Sequence, residues 1–407
     1  MRRALVFLLA IAMLSAPALA RKLNFEILPV GYVMTPDEVL DNIGQARMGR
    51  ANEDPGALLV KDMQATTSRL DDPAWLLMSN APELINDITM PRRRGVLVAA
   101  DLPAGSGRLL VSHANQFPMG EDFIIHATNM SPDEVAQVVL EPSAHANQVD
   151  IPASYRADAL VGGALIENYE HATQVLPLGW RPPDDVTRFA IRPGASVDMR
   201  LVPSAHGLSM FIGKLTTSAP LHVAVCAVPR DGKYTEDTPL TQRTGSQARG
   251  LFDKPDVSVE ANVDLSDMVP LRYVFGQSER DNRLGVLEGG NWMTGVDTTE
   301  PGHKDPQTNR GDFGGFTHFK AHVTADGPSK VRGAAFILVC GGRKAAVPRG
   351  GPGSGGSGGK VTVLSQWNGL VLARVRVGDD FSYDFTLPPN SWAPMYMVAV
   401  PLFSMPR

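Results

Sequence analysis

Histidine, carboxylate and tryptophan side chains carry whatever chemistry this sequence offers. His113 and His126 bracket Glu121 and Asp122 in the stretch Arg108–Pro132, RLLVSHANQFPMGEDFIIHATNMSP. Facing each other across a hairpin, the two imidazoles would form a polar cluster able to do acid–base work. A hydrogen-bonded structural pair is the plainer use of the same groups. The alternation Phe316, His318, Lys320, His322 puts both histidines on the polar face of a strand, with Lys320 between them. A cation between two metal ligands is unfavourable, so that face is expected to be solvated rather than metal-bound. Asp184-Asp185 and Asp379-Asp380 are adjacent carboxylates of the type used in glycoside hydrolysis. Neighbours in a strand or turn point apart, which makes loop acidity the simpler account. Trp180, Trp292 and Trp367 stand beside Gly, Pro or Asn, as aromatic platforms for sugars or peptides do. Core or inter-domain packing is the competing use of each ring.

No Gly-x-Ser-x-Gly elbow, His-Glu-x-x-His helix or calcium-loop spacing occurs. The residues left as candidate ligand contacts are Trp292, Asn291, Trp180, His113 and His126. No catalytic, cofactor or metal residue is assigned.

The elements expected to position these groups are strands. Leu109, Val111 and His113 alternate with Leu110, Ser112 and Ala114, and a second alternation runs through Phe123, Ile125 and Ala127. The Pro/Gly connection Phe117–Gly120 between them predicts a hairpin. Further strands are predicted at nearly even spacing up to Leu221–Val228, and again from Thr317 to Val400, with a short broken helix over Ala153–Tyr169. Thr35 and Glu38 have capping-box spacing ahead of a helix. The pattern implies an all-β protein of two antiparallel β-sandwich domains. Residues 1–20 are a signal peptide, 21–93 an N-terminal arm across the first sandwich, and 94–229 that sandwich. Residues 230–310 form a long irregular inter-domain segment, and 311–407 the second sandwich. GGPGSGGSGG at 350–359 reads as a flexible tether; no Gly-Lys-Ser/Thr follows, so it is no phosphate loop.

Bulk properties agree. A chain of 407 residues exceeds one ordinary core, and 39 Gly with 32 Pro favour turns and strands over helices. A formal net charge of −5 gives no basic surface for nucleic acid. Arg2-Arg3, the apolar run Ala4–Leu14 and Ala18-Leu19-Ala20 have the form of an export signal, and the apolar run is short for a membrane span. A periplasmic or extracellular address is therefore expected, with no transmembrane segment in the mature protein. Cys226 and Cys340 each close an apolar strand in a different half, where burial as free thiols is the favoured reading.

Taken together, SNAPELI, GVLVAADLP, RLLVSHAN and GEDFIIHATN, then APLHVAV, YVFGQSERDNRLGVLEGGNW and GDFGGF, resemble a family. It is an uncharacterised family of secreted proteins, known mainly from cyanobacteria and defined by a domain of unknown function. The likeness covers most of residues 65–400; the run Arg92-Arg93-Arg94 and the Gly/Ser tether depart from it. What the resemblance implies is a strand-rich fold and an exported address. It brings no activity and no catalytic residues. The expected function is a non-catalytic cell-envelope or extracellular protein holding a polysaccharide or a surface protein. The alternative is a secreted hydrolase with its site between the sandwiches.

Overall fold

The computed structural model describes residues 23–43, 61–148, 187–242, 248–275, 293–309, 313–348, 361–386 and 394–405, with short breaks at 83, 119, 205–206, 301, 303, 327–329 and 343. The expected signal peptide, the helix over Ala153–Tyr169, Trp180, Asn291, Trp292, Asp184-Asp185 and the 350–359 tether lie outside them. The described residues are nearly all β, with a single helix, Pro36–Ile43.

Among the described residues four of five sheets stack in two pairs, and the fifth, the two-stranded Lys344–Pro348/Val361–Ser365, adds Val347 and Leu364 to the second core. In the first pair a nine-stranded sheet, with Gly105–Asn115 and Gly207–Thr217 among its strands, faces a four-stranded sheet. The small sheet runs in the order Ser196–Ser204, Glu121–Asn129, Leu221–Pro229, Gly95–Leu102. Trp75, Leu77, Leu109, Val111 and Phe211 from the large sheet meet Leu97, Phe123, Ile125, Val223 and Val225 from the small one. Alternate residues of each strand supply this core, as the two-residue period of a strand requires. Gly107 is directly opposite Trp75, and a Cβ there would stand 2.0 Å from the indole, so only glycine lets that ring lie flat.

The second pair sets a six-stranded sheet against a four-stranded sheet ordered Asp380–Phe385, Thr317–Thr324, Val257–Asp264, Gln64–Arg69. Its core joins Val259, Phe319, Phe381 and Tyr383 to Phe336, Leu338, Leu372 and Met397. Phe336 and Phe381 stack with centroids 4.0 Å apart.

The all-β sandwich architecture is as the sequence implies, but its wiring differs in four ways. First, Arg108–Pro132 is not a hairpin. Gly105–Asn115 pairs with Gly207–Thr217, whereas Glu121–Asn129 pairs with Ser196–Ser204 and Leu221–Pro229 in the opposite sheet. The connection through Phe117 arches over the end of the core. It lacks the two-residue Asn-Gly or Asp-Gly turn that binds adjacent strands together. Second, some pairs are parallel. Trp75–Ser79 runs parallel to Gly105–Asn115, and Val257–Asp264 parallel to Thr317–Thr324. Between the first two strands the chain visits the facing small sheet, and between the second two it passes through the six-stranded sheet and the large sheet of the first sandwich; parallel partners need such long crossovers.

Third, the expected connector at 230–310 is strand-bearing among its described residues. Arg249–Asp253 pairs with Trp75–Ser79 in the first sandwich, while Val257–Asp264 and Leu271–Phe275 enter the two sheets of the second. Fourth, the N-terminal arm serves the second sandwich as well as the first. The capping box forms as read: Thr35 N–H donates to Glu38 Oε2 at 2.9 Å and Glu38 N–H to Thr35 Oγ1 at 3.3 Å. Val39 and Ile43 of that helix bury against Ile337, Val371, Tyr396 and Val398 on the outer face of the six-stranded sheet.

Both cysteines are buried free thiols, one in each sandwich. Burial pushes the Cys226 thiol far up and the Cys340 thiol up to about 12. Thiolate is the reacting form, so the native protein should resist a thiol reagent at neutral pH. The denatured, unreduced protein should then titrate two thiols; a count of zero would mean a bridge incompatible with this arrangement.

Candidate ligand-binding faces

The structure separates the two histidines that the sequence placed together. His113 shares the inward parity of Leu109 and Val111 and is fully buried at the end of the first core, its ring 5.7 Å from that of Phe123. Its Nδ1–H donates to Pro82 O at 2.6 Å, and its Nε2 accepts from the Ser79 hydroxyl at 2.9 Å. Burial lowers its pKa to about 4. This is a neutral, hydrogen-bonded core histidine with no route to a ligand. His126 has the opposite parity to Phe123 and Ile125, so it stands on the outer face of the small sheet. The cluster expected around the pair is also divided: Arg93 donates to the buried Glu121 at 2.5 Å, and Arg200 pairs with Asp122. Both acids anchor arginines.

On the outer face of the small sheet, register sets out two rows of side chains. Ser196, Thr128, His222 and Asp101 lie directly opposite one another across the four strands. Asp198, His126, Ala224 and Ala99 form the next row. His126 Nδ1 meets Asp198 Oδ1 at 2.6 Å, and His222 Nδ1 meets Asp101 Oδ1 at 2.7 Å. Tyr234 stacks on the His126 ring at 4.1 Å with an interplanar angle of 27°. The tyrosine arrives on a segment that covers the apolar part of this face. Thr241 N–H donates to Val96 O at 3.0 Å, Val96 N–H to Pro239 O at 2.8 Å, and Arg94 pairs with Asp237 at 2.7 Å. Polar side chains and an aromatic edge are left for solvent beside it.

The small sheet of the second sandwich repeats the device. His318 meets Asp384 at 2.8 Å and His322 meets Asp380 at 2.6 Å, both across strands and both facing outward. The hydrogen bond that His318 Nδ1–H donates to Asp384 raises the pKa of His318. Lys320 is exposed between the two histidines and lies opposite Glu260 and Ser382 in register. This is the solvated polar strand face that the alternation predicted. Asp380 of the Asp379-Asp380 pair is engaged by His322. Trp367 is half-buried and stacks on Tyr396 with rings 5° from parallel, so its role is packing on the outer layer.

Sequence reasoning singled out His126 but missed its partners. Asp198, His222, Asp101 and Tyr234 are distant from it in sequence, and only strand register brings them together. Among the described residues no three His, Cys, Asp or Glu side chains gather as a metal-binding group. The cavity beside Phe316 and Thr317, where the sandwiches meet, has a volume of about 10 Å³, room for no more than one water. The chain matches no protein-family model and no curated protein.

Proposed function

We propose that the protein is an exported, non-catalytic cell-envelope or extracellular protein that holds polysaccharide on the outer face of its first small sheet. The observation that carries this is the Tyr234–His126 stack standing beside a ladder of hydroxyls, imidazoles and carboxylates. A sugar ring has an apolar face and a rim of hydroxyls. An aromatic ring face takes the first, and Thr128, Ser196, His222 and Asp101 can exchange hydrogen bonds with the second. Four His–Asp pairs on the outer faces add little to folding, since pairs of this kind near solvent contribute at most about 0–1 kcal/mol each. Their recurrence on both small sheets suits a surface function better than a structural one. Export is supported by the positive, apolar and small-residue order of residues 2–20. No helix among the described residues is long and apolar enough to cross a membrane.

The hydrolase alternative draws less support. Among the described residues at the junction between the sandwiches, Arg108 and Asp256 are engaged in a buried ion pair, and the cavity beside Phe316 has room for no more than one water.

Tyr234→Ala is the direct test. Removing a stacking aromatic at a binding hot spot costs about 2 kcal/mol, some thirty-fold in affinity. Retention on isolated cell-envelope polysaccharide should fall by that factor while the thermal midpoint moves little. Unchanged retention per folded molecule would remove this face as the binding site.

A further inference from the structure

We propose that His126 and His222 together form a binding site for a borderline-soft divalent cation, Cu²⁺ above all. The inference goes beyond the polysaccharide reading and does not rest on it.

The argument begins with register. His222 lies directly opposite Thr128, and His126 directly opposite Ala224, on the adjacent strands Leu221–Pro229 and Glu121–Asn129. The two imidazoles are therefore diagonal neighbours on one outer face, where Cα atoms stand roughly 7–8 Å apart and long side chains meet. The carboxylates lie on the flanking strands. Asp198 takes the Nδ1 of His126 and Asp101 takes the Nδ1 of His222, at 2.6 and 2.7 Å. Each carboxylate thus favours the tautomer in which Nδ1 carries the proton and Nε2 the lone pair, which in His126 faces the Thr128 hydroxyl at 3.3 Å.

Orientation follows from the same bonds. The outer carboxylates draw each Nδ1 toward the sheet's edges, and Nε2 is on the other side of the ring. The Nε2 of His126 lies 3.3 Å from Thr128 Oγ1, and Thr128 is the residue facing His222. The His126 Nε2 is thus on the His222 side of its strand, and the Nε2 of His222 is the ring nitrogen that Asp101 leaves unengaged. Carboxylate, imidazole, open position, imidazole, carboxylate is the outer-shell arrangement that orients histidine ligands on metals. Asp101 and Asp198 give the two rows together two carboxylates, which favours a cation. Imidazole nitrogen suits copper, nickel and zinc, and for a given nitrogen site copper(II) binds most tightly of the first-row divalent ions. Water would complete the coordination, since no third protein ligand is gathered there.

The second sandwich offers the contrast. His318 and His322 are four residues apart on one strand, about 14 Å at 3.4 Å per residue, too far to share an ion. Their carboxylates orient single imidazoles only.

The test is titration of the full chain with Cu²⁺ alone, followed by calorimetry and electron paramagnetic resonance, without polysaccharide. The chain holds nine histidines, so the readout is the difference between wild type and variants. Wild type should bind one tight equivalent whose spectrum shows coupling to two nitrogens. His222→Ala and His126→Ala should each lose that equivalent, and Asp101→Asn should weaken it by about 10–100-fold. A His318→Ala/His322→Ala double variant should keep it. His222 is exposed, so its replacement leaves the fold intact, which the thermal midpoint will verify; His222→Gln, which keeps the side chain's bulk, should lose the site equally. Copper affinity unchanged in His222→Ala, or loss in the His318/His322 variant alone, would overturn the proposal. Because the assay contains no sugar, its failure leaves the Tyr234 experiment standing, and the reverse holds.

Discussion

Asp256→Ala is expected to destabilise the protein by about 3–5 kcal/mol, the cost of removing one partner from a buried ion pair. Asp256 is fully buried where the two sandwiches meet. Its carboxylate accepts from Arg108 through two bonds of 2.7 and 2.9 Å, and from Phe316 N–H at 2.9 Å. The Arg108 guanidinium is itself buried, donates to Gly314 O at 2.5 Å and lies 4.7 Å from the centroid of the Phe316 ring. Arg108 belongs to the large sheet of the first sandwich, and Asp256 immediately precedes a strand of the second. Without the carboxylate, a buried guanidinium loses its counter-charge and the backbone of Phe316 loses its acceptor. Both penalties fall on the seam that joins the sandwiches, so the denaturant midpoint should drop and one transition should split toward two. Arg108→Met combined with Asp256→Leu should recover much of the loss, because a matched apolar pair avoids desolvating two charges. A single-variant loss below about 1 kcal/mol would show that the seam is held by apolar contacts such as Leu110, Phe313 and Phe316 instead.

That seam illustrates what the sequence could and could not reveal. Alternation told strand from helix correctly in Gly105–Asn115 and Glu121–Asn129, because a two-residue period is local. It could not say which sheet each strand enters. Both strands are buried along most of their length, so neither shows a solvent face that would fix its neighbours. The capping box of Thr35 and Glu38 was legible for the same local reason, yet the face on which Val39 and Ile43 would bury was not. Asp256 gave no signal at all. An aspartate between Pro255 and Val257 reads as a loop residue until Arg108, 148 positions earlier, is brought against it. His126 drew notice as a histidine in an alternating strand, but its chemistry depends on Asp198, Tyr234 and His222, all supplied by non-local pairing. In the region 230–310 the strands Arg249–Asp253, Leu271–Phe275, Met293–Asp297 and Asp305–Asn309 are only five residues long. Val257–Asp264 has eight with strict alternation, a local signal that the sequence reading passed over. The five-residue strand Arg249–Asp253 is buried at three of five positions without strict alternation.

The second large effect is expected in acid. Stability should fall by about 3 kcal/mol between pH 6.5 and pH 4 through His113 alone, and His113→Gln should abolish that part of the slope. Burial is the chief cause of the lowered pKa, about 4 against 6.5 for a free imidazole, and the nearby Arg249 charge adds to it. The bonds to Pro82 and Ser79 act the other way without offsetting it. Between these two values the unfolded chain carries a proton on His113 that the folded chain does not. Stability therefore rises with pH across this window and is fully present above 6.5. A shift of 2.5 pH units at 1.36 kcal/mol per unit sets the size, as an order of magnitude. His318 has the opposite sign: Asp384 raises its folded value, so its contribution is complete below 6.5 and is lost only as pH rises beyond. The two windows do not overlap. Carboxylates also titrate near pH 4, which makes the comparison between wild type and His113→Gln at each pH the decisive measurement. Glutamine can still hydrogen-bond with Ser79 or Pro82 but takes up no proton. Parallel pH profiles for the two proteins would mean that His113 accepts its proton while folded, and the sealed Ser79–His113–Pro82 chain would have to open to water.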